Sequence, residues 1–389
     1  MFSLSYNGFG DAYFFILDWT RVYQSFKIIL PEKLKRKKIK IAILFGGRSA
    51  EHEVSLTSAC AIYNNLDKDK YKIVCLYINR QGLWKKVKSP QHSLSTLNKG
   101  QFSSFLPWAK NPLEQALEAD IYFPILHGPY GEDGTIQGFL EMADVPYVGA
   151  GVLASALGMD KAIAKVLFQA RQLPLVKYMV VYDSDWKKES KTILAKIEKE
   201  FSLPFFVKPA KLGSSVGITK VNSSTQMEAA IKEAFRYDRK ILIEEGIIGR
   251  EIECSVLGND EPQASLPGEI IPFRDFYDYQ DKYVEGKTSF AIPAKLPSSM
   301  VDKIQKISIE AYRAIDCAGM ARVDFFIEKK TERIILNEIN TIPGFTEISM
   351  YPKLWEVSGL SFSRLLDRLI ELGFDYHQKK KNLRKTFQL

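Results

Sequence analysis

Histidine and cysteine are both scarce in this chain of 389 residues, which holds four of each. The histidines are scattered, so we do not expect a metal site built from imidazole groups. The cysteines lie singly in apolar stretches, without the spacing of a zinc site or a redox pair. Lone cysteines are typical of buried thiols in a reducing compartment, which favours a cytoplasmic location. They are Cys60, Cys75, Cys254 and Cys317.

A long apolar run is missing from the amino-terminal segment. Its aromatic and apolar stretch between Asp11 and Asp18 is far too short to cross a membrane. No charged region precedes this stretch and no small-residue cleavage site follows it, so a signal peptide is not predicted. Residues 1–38 are a packed extension or a stretch added by a mis-assigned start, and both alternatives stay open. We expect no stable association with a membrane.

An excess of positive charge is missing from the body of the chain. The formal net charge is +8, but residues 31–40 and 379–385 contribute +5 each, which leaves −2 for everything else. A body of this charge is not a nucleic-acid-binding surface. We interpret the two basic runs as solvated ends, and weak attraction to anionic lipid is the alternative.

The length of the chain predicts two or three domains, each able to bury a core. Alternating strand and helix patterns predict an open α/β sheet in the first domain, with substrate groups at its strand ends. The predicted strands of this domain are 39–45, 71–78 and 120–126, and its helices are about 50–66 and 135–142. The predicted domains are 39–149, 150–243 and 244–375, flanked by the extension 1–38 and a basic tail, 376–389.

Polar side chains interrupt two apolar, β-rich segments near the carboxyl end of the chain. Arg322-Val-Asp324 and Glu338-Ile-Asn340 lie in predicted strands, joined by a polar turn at 329–332. Side chains alternate along a strand, so the two residues of each pair share a face. Burying these groups without a ligand would be costly, and oxygen donors at this density suit Mg²⁺. A solvated hairpin with chance acidic residues is the alternative, which the apolar flanks disfavour.

A candidate phosphate loop lies upstream of this hairpin. The strand pattern at 205–209 carries Lys208 and is followed by Gly213-Ser-Ser-Val-Gly217. Small and hydroxyl residues between two glycines let backbone N–H groups approach phosphate oxygens, while the lysine adds a point charge. The loop is neither a P-loop nor a dinucleotide fingerprint, and alone it could be a plain hairpin turn. Together with the hairpin it predicts a nucleotide site.

Several separated blocks of the sequence stand out in order along the chain. They are Phe45-Gly-Gly-Arg-Ser-Ala-Glu51-His-Glu-Val-Ser, Leu126-His127-Gly-Pro-Tyr-Gly-Glu-Asp-Gly-Thr, Gly158-Met-Asp-Lys161, Lys208-Pro with Gly-Ser214-Ser215-Val-Gly, Phe276-Tyr-Asp-Tyr-Gln-Asp-Lys282-Tyr283, Arg322-Val-Asp324 and Asn337-Glu338-Ile-Asn340-Thr-Ile-Pro-Gly344. In this order and spacing the blocks resemble those of the D-alanine–D-alanine ligase family of ATP-grasp enzymes. The resemblance covers about residues 39–375. It implies a mixed α/β fold of three domains, with an open α/β amino-terminal domain and two ATP-grasp subdomains.

The resemblance also implies an activity and a set of site residues. Two D-alanine molecules would be joined at the cost of ATP through an acylphosphate, with two Mg²⁺ (or Mn²⁺) ions, for peptidoglycan precursors, in an enzyme that is typically a homodimer. The implied phosphate contacts are Lys161, Lys208, Ser214, Ser215 and Lys282, the adenine and ribose contacts are Glu244, Glu245 and Glu251, and the metal ligands are Asp324, Glu338 and Asn340. Glu51 would bind the ammonium of the first D-alanine, and His127 would lie on the substrate side. Arg322 and the Gly344 N–H would stabilise the developing oxyanion, and Ser349 would bind the carboxylate of the second D-alanine. Tyr283 would link Glu51 and Ser214.

Local alternatives exist for several of these residues. Glu51 could cap a helix, His127 could be a structural turn residue, and Lys161 could be a solvated lysine at a helix start. Ser349 could likewise be a helix-start hydroxyl. Acidic residues are also common at strand ends, so Glu244 and Glu251 could lie there without binding adenine or ribose.

Three rival functions follow from the same residues. Another carboxylate–amine ligase could share the hairpin and the loop, although the Glu51, His127 and Tyr283 blocks disfavour it. A depsipeptide-forming ligase is the second rival, and such enzymes commonly carry phenylalanine at the position of Tyr283, or a different lid. The third is a catalytically inactive nucleotide-binding regulator, which is disfavoured because every expected catalytic position is filled.

The stretch 275–290, rich in Tyr, Asp and Lys, is predicted to be a lid that excludes water.

Overall fold

The computed structural model describes residues 37–91, 119–213, 216–271 and 288–384, in which the strands form three sheets. Four predicted site residues, Ser214, Ser215, Lys282 and Tyr283, lie outside the described residues, as do most of the predicted lid and residues 1–36. The described residues from 38 onward belong to one compact unit. Within the described ranges, no helix is long and apolar enough to cross a membrane.

The first sheet has the strand order β3-β2-β1-β4, with β1 parallel to both β2 and β4. The predicted strands and helices of this domain are confirmed to within a few residues, and β3 is an additional antiparallel edge strand. The elements are β1 Ile39–Gly46, α1 His52–Asn65, β2 Tyr71–Ile78, β3 Trp84–Val87, β4 Ile121–Ile125 and α2 Thr135–Met142.

A glycine turn connects β1 to α1. Gly46 has φ +94°, and a Cβ there would lie 2.2 Å from the Ile78 carbonyl oxygen of the neighbouring strand. Only glycine fits this left-handed and closely packed position. The chain therefore reverses at the carboxyl edge of the parallel sheet, which brings Glu51, the residue before α1, to that edge.

The second sheet is antiparallel, with the strand order β5-β8-β6-β7. Helices cover one face, where Ile197, Ile231 and Ile243 are fully buried in one apolar core. The strand prediction at 205–209 is confirmed. The elements that precede and form this layer are α3 Val152–Met159, α4 Lys161–Ala170, β5 Tyr178–Tyr182, α5 Asp183–Glu200, β6 Phe205–Pro209, β7 Thr219–Val221, α6 Ser224–Phe235 and β8 Lys240–Glu245.

The third sheet is also antiparallel, with the order β12-β11-β9-β13-β14 and β10 paired to β9. The predicted hairpin is confirmed as β13 and β14. A core of aliphatic side chains lies between this sheet and α7. The elements are β9 Gly249–Gly258, β10 Gln263–Ala264, β11 Gly268–Ile271, β12 Ser289–Ala291, α7 Ser298–Ala314, β13 Gly319–Glu328, β14 Ile334–Asn340, α8 Met350–Val357 and α9 Phe362–Lys381.

The carboxyl-terminal basic run is partly structured. Helix α9 continues to Lys381, and Lys379 and Lys380 form ion pairs with Asp260 and Glu141 at 2.6 and 2.5 Å. Its first three lysines therefore lie in a helix, and their side chains stay partly exposed, which is compatible with our interpretation of the run as solvated. The boundary drawn after residue 243 falls inside β8, and the division into domains stays a prediction.

Burial of the cysteines agrees with the expectation of structural thiols. Cys75, Cys254 and Cys317 are buried, and Cys60 is half-buried. Burial raises the pKa of the Cys75 thiol to about 12, so this group stays protonated at neutral pH.

Candidate active site

The register of the hairpin gathers its four polar side chains. Arg322 is paired with Asn340, and Asp324 is paired with Glu338. Residues directly opposite each other in an antiparallel pair project to the same side of the sheet. The two predicted pairs therefore share one face, at the end of the hairpin away from its turn.

The Arg322 guanidinium holds this cluster together. Its Nε and Nη2 donate to the two oxygens of Asp324 at 2.7 and 2.6 Å, and its Nε lies 3.0 Å from Glu253. The Asn340 amide also donates to Asp324, at 3.0 Å. The forked contact fixes the plane of the guanidinium, which leaves its remaining donors with a defined direction.

Glu253 is a member of the cluster that sequence reasoning missed. It lies on β9 opposite Asp324, so three neighbouring strands carry Glu253, Asp324 and Glu338 in one row. The alternation Glu251-Ile-Glu253 within a buried strand was the available signal. Its pairing with Arg322 depends on strand order, which the sequence does not reveal.

Lys161 connects helix α4 to this row of carboxylates. Its Nζ lies 3.2 Å from Glu338 and donates to the Leu212 carbonyl at 2.8 Å. Burial lowers the pKa of Lys161, but Glu338 and other nearby carboxylates outweigh this effect, so the net shift is upward. The solvated-lysine alternative is therefore wrong, because this ammonium is enclosed between the hairpin and the start of the Gly-Ser loop.

A second charged cluster lies in the second sheet. The Glu244 carboxylate is 2.6 Å from Lys208 Nζ and 3.1 Å from Lys165 Nζ, and all three groups are largely buried. Burial raises the pKa of Glu244, but the two ammonium groups dominate and bring it to about 2. Sequence reasoning missed Lys165, although it lies one helical turn after Lys161 and on the same face of α4.

A cavity of about 370 Å³ opens beside this second cluster. Its wall contains the predicted Lys208, Glu244, Glu245 and Glu251, and apolar surface from Phe206 and Phe326. Aromatic and aliphatic walls with a few acidic groups suit a flat heterocycle joined to a sugar with hydroxyl groups. The predicted adenine and ribose contacts thus share one cavity.

A second cavity, of about 120 Å³, lies over the hairpin face. It brings together five residues predicted for substrate binding and catalysis, from four parts of the chain: Glu51, His127, Arg322, Gly344 and Ser349.

Glu51 occupies the N-cap position of α1, but its side chain makes no capping hydrogen bond. It faces the Gly-Ser loop instead, since a Cβ at Gly213 would lie 3.2 Å from Glu51 Oε2. Glu51 therefore makes no hydrogen-bonded cap, while its position at the start of α1 is still one that the helix dipole favours. The described start of the Gly-Ser loop, at Gly213, reaches the smaller cavity at this point.

Ser349 and Gly344 are in close contact. A Cβ at Gly344 would lie 2.6 Å from Ser349 Oγ, so no larger residue fits without displacing the serine. Ser349 precedes α8, but its hydroxyl bonds with Thr346, at 3.0 Å to the amide and 2.8 Å to the side chain. The hydroxyl does not cap the helix and lies at the wall of the cavity.

His127 lies at the end of β4 and is buried. Its Nδ1 is 3.1 Å from the Ile342 carbonyl oxygen, and its Nε2 is 3.3 Å from Ser58 Oγ. Burial lowers the pKa of His127 in spite of the nearby Glu51 carboxylate. The ring lines the cavity, while both of its nitrogens contact protein groups.

Glu132 is a further carboxylate that sequence reasoning missed. It lies in the wall of the same cavity and accepts a hydrogen bond from the Gly128 amide at 2.8 Å. Burial, together with the negative charge of Glu51, raises the pKa of Glu132 to about 8. It stands in the block that begins at Leu126, but its burial could not be deduced from the block.

The hairpin face fits a divalent cation of the magnesium type. Asp324, Glu338 and Asn340 supply oxygen donors from neighbouring positions of two paired strands. In the described parts of the chain, no three carboxylate, imidazole or thiolate groups converge as a metal site. A cation here would therefore have two carboxylates and one amide as protein ligands, and it would depend on substrate oxygens for the rest of its shell.

Comparison with known families identifies both halves of the chain. Residues 40–150 match the family model described as the D-ala D-ala ligase N-terminus, and residues 167–371 match the D-ala D-ala ligase C-terminus. The two matches cover most of the chain that the structure describes.

Individual relatives give the same result. A D-alanine--D-alanine ligase of Natranaerobius thermophilus is 47% identical over 88% of this chain and 97% of its own length. One of Thermoanaerobacter sp. is 49% identical over 88% of this chain and 99% of its own length. Among solved structures, the D-alanine-D-alanine ligase from Coxiella burnetii is 40% identical, with a TM-score of 0.76 over 88% of this chain and 97% of that one. The VanG D-Ala:D-Ser ligase from Enterococcus faecalis is 36% identical, with a TM-score of 0.77 over 87% of this chain and 100% of that one.

Proposed function

This chain belongs to the D-alanine–D-alanine ligase family, and on that premise we propose that its two cavities and the hairpin between them join two D-alanine molecules to D-alanyl-D-alanine with conversion of ATP to ADP and phosphate. The product serves peptidoglycan precursor synthesis. The observation that supports this most strongly is the meeting of Glu51, Arg322, Gly344 and Ser349 at one cavity beside the carboxylate row.

ATP would bind with its base in the larger cavity and its phosphates toward the hairpin. Lys208 lines that cavity and Lys161 contacts Glu338, so two ammonium groups lie along the proposed phosphate path. Bound Mg²⁺ or Mn²⁺, held by Asp324, Glu338 and Asn340, would neutralise the phosphate charge. Ser214, Ser215 and Lys282 are further proposed phosphate contacts.

The first D-alanine would place its ammonium at Glu51 and its carboxylate at the hairpin. A carboxylate oxygen attacks the γ-phosphorus and ADP leaves, which gives an acylphosphate. Fixing the amino group at Glu51 aligns the carboxylate with the phosphate, and this positioning converts a bimolecular encounter into a local one. Ser214 and Tyr283 are proposed to connect Glu51 to the closed lid, which would keep water from the acylphosphate.

The second D-alanine would then supply the nucleophile. Its ammonium group gives a proton to water, and the amine nitrogen attacks the acyl carbon. Negative charge develops on the carbonyl oxygen until phosphate leaves, and the second proton of the nitrogen passes to that phosphate. Arg322 and the Gly344 N–H are proposed donors to that oxygen. Ser349 lies beside Gly344 and would bind the carboxylate of this second substrate.

Release of ADP with Mg-ATP and different substrates tests the proposal. D-alanine alone should support turnover, and L-alanine should not. Adding D-serine or D-lactate to D-alanine tests the second site, since one solved relative is named a D-Ala:D-Ser ligase. Little gain from either compound would support a dipeptide made of D-alanine only. Absence of turnover with every substrate would refute the ligase activity. A cytoplasmic homodimer is part of the proposal and is supported by the family resemblance alone.

A further inference from the structure

One buried serine connects two walls of the smaller cavity. Ser58 of α1 is fully buried, and its Oγ accepts a hydrogen bond from the Phe345 amide at 3.2 Å. The same oxygen lies 3.3 Å from His127 Nε2, and His127 Nδ1 lies 3.1 Å from the Ile342 carbonyl oxygen. Ser58 and His127 together hold both ends of the segment 342–345, and Gly344 lies between the two anchors.

The chemistry of these groups fixes two of the three hydrogen-bond directions. A backbone amide can only donate and a carbonyl can only accept. The Ser58 hydroxyl therefore accepts from the Phe345 amide, and His127 Nδ1 carries a proton that it donates to the Ile342 carbonyl. Burial lowers the pKa of His127, which favours the neutral ring, and in that form Nε2 accepts the proton of the Ser58 hydroxyl.

Packing holds the same segment from the other side. The Phe345 ring is fully buried and contacts Phe123, Tyr351 and Phe362, with ring centroids 6.1, 5.5 and 6.0 Å away. These contacts hold the ring of Phe345 in place. The hydrogen bond from its amide to Ser58 Oγ holds the peptide group that joins Gly344 to Phe345.

We infer that Ser58 is a positioning residue for the ligation: it fixes the neutral Nδ1–H form of His127 and orients the segment that carries the Gly344 N–H. This inference rests on the proposed function of that N–H. Ser58 is set back from the reacting atoms, behind His127 and the segment 342–345. A small displacement of a donor near a reacting atom lowers kcat strongly, whereas ATP binds elsewhere. The loss of Ser58 should therefore appear in kcat and leave the KM for ATP unchanged.

The test compares Ser58→Ala with Ser55→Ala. Ser55 is also fully buried in α1, one turn earlier, and its hydroxyl bonds with the Gly46 amide and the Ile125 carbonyl, away from the segment 342–345. We expect Ser58→Ala to lower kcat about 10-fold with an unchanged KM for ATP. Ser55→Ala should keep a kcat near that of the wild type. Ser58→Cys, which has a weaker donor of similar size, should give an intermediate kcat.

Nitrogen NMR of histidine gives a readout that is independent of turnover. The chain has four histidines, so a protein labelled in histidine gives a sparse spectrum, and His127→Gln identifies the resonances of His127. The wild type should show the neutral Nδ1–H form. Ser58→Ala should shift the Nε2 resonance of His127, and Ser55→Ala should not.

Two results would overturn the inference. The first is a Ser58→Ala or Ser58→Cys protein with wild-type kcat and an unchanged His127 spectrum. The second is an equal loss of kcat in Ser55→Ala and Ser58→Ala. If the wild type does not ligate D-alanine, the proposed function fails, and the His127 spectra still decide whether Ser58 sets the form of the ring. If Ser58→Ala does not fold, Ser58→Cys decides both points.

Discussion

Lys161 Nζ lies 3.2 Å from Glu338 Oε2, so the first residue of α4 contacts the outer strand of the hairpin directly. The same ammonium donates to Leu212, just before the Gly-Ser loop. Helix, loop and hairpin therefore meet at one lysine. This contact places the proposed phosphate path next to the proposed metal ligands.

Removing the Arg322 guanidinium should abolish most turnover. We expect Arg322→Ala to lower kcat by about 10²- to 10³-fold, because the developing oxyanion loses a charged donor. ATP affinity should stay near that of the wild type, since the larger cavity does not include Arg322. Arg313→Ala is a suitable control, because Arg313 forms a comparable but exposed ion pair with Glu310. A near-normal kcat in Arg322→Ala would refute the role of this residue.

A methyl group at Gly344 should block the second substrate site. In Gly344→Ala the new Cβ would lie 2.6 Å from Ser349 Oγ, so the serine or the segment must move. We expect a lower kcat and a higher KM for the second D-alanine. Gly138→Ala is the matched control, since no atom lies within 4 Å of a Cβ there, and it should preserve turnover. Steady-state kinetics with D-alanine would measure both variants.

The ion cluster of Glu244 should make stability depend on acid pH. The folded-state pKa of Glu244 is lowered from 4.5 to about 2, so its stabilising contribution is complete above pH 4.5 and is lost as the pH falls toward 2. Lys165→Met removes one of the two partners, and we expect a weaker acid dependence together with lower stability at pH 7.

Urea unfolding at several pH values would measure this change. Lys232→Met is the control, because Lys232 pairs with Glu228 on an exposed helix surface. It should leave both the stability at pH 7 and its acid dependence nearly unchanged. If Lys165→Met and Lys232→Met have the same stability at pH 7 and the same acid dependence, the stabilising role that we assign to the buried cluster of Glu244 is contradicted.

Glu132 should make the protein less stable as the pH rises, which is opposite to the effect of Glu244. Burial raises the pKa of Glu132 from 4.5 to about 8, so between these values the folded protein retains a proton that the unfolded chain has lost. Its contribution therefore lowers stability as the pH rises from 4.5 to 8. We expect Glu132→Gln to remove this loss, so that its melting temperature exceeds that of the wild type most clearly near pH 8. If the difference in melting temperature between Glu132→Gln and the wild type stays constant across this pH range, the raised pKa of Glu132 is contradicted.

Local patterns were enough to predict the elements that carry the site. The strand at 71–78 and the helix at 135–142 have the predicted bounds, because apolar alternation and helix periodicity are local signals. The four residues of the hairpin face were predicted in two pairs. That these pairs share one face follows from the register of the two strands, which the structure supplies.

Tertiary partners account for what the sequence did not reveal. Lys165 and Glu253 are buried beside partners that lie 79 and 69 residues away in the chain, namely Glu244 and Arg322. No local pattern links such positions. The same holds for Ser58, whose partner Phe345 belongs to a distant loop. These residues could be found only after the sheets and helices had been assembled.

Transfer of an oxygen isotope tests the central claim most directly. D-alanine labelled with ¹⁸O in its carboxylate would be ligated with unlabelled ATP, and the phosphate released would be analysed by mass spectrometry. An acylphosphate at the hairpin predicts one ¹⁸O atom in each phosphate, because the carboxylate oxygen that attacks the γ-phosphorus leaves with it. Phosphate without ¹⁸O, formed while dipeptide accumulates, would contradict the account.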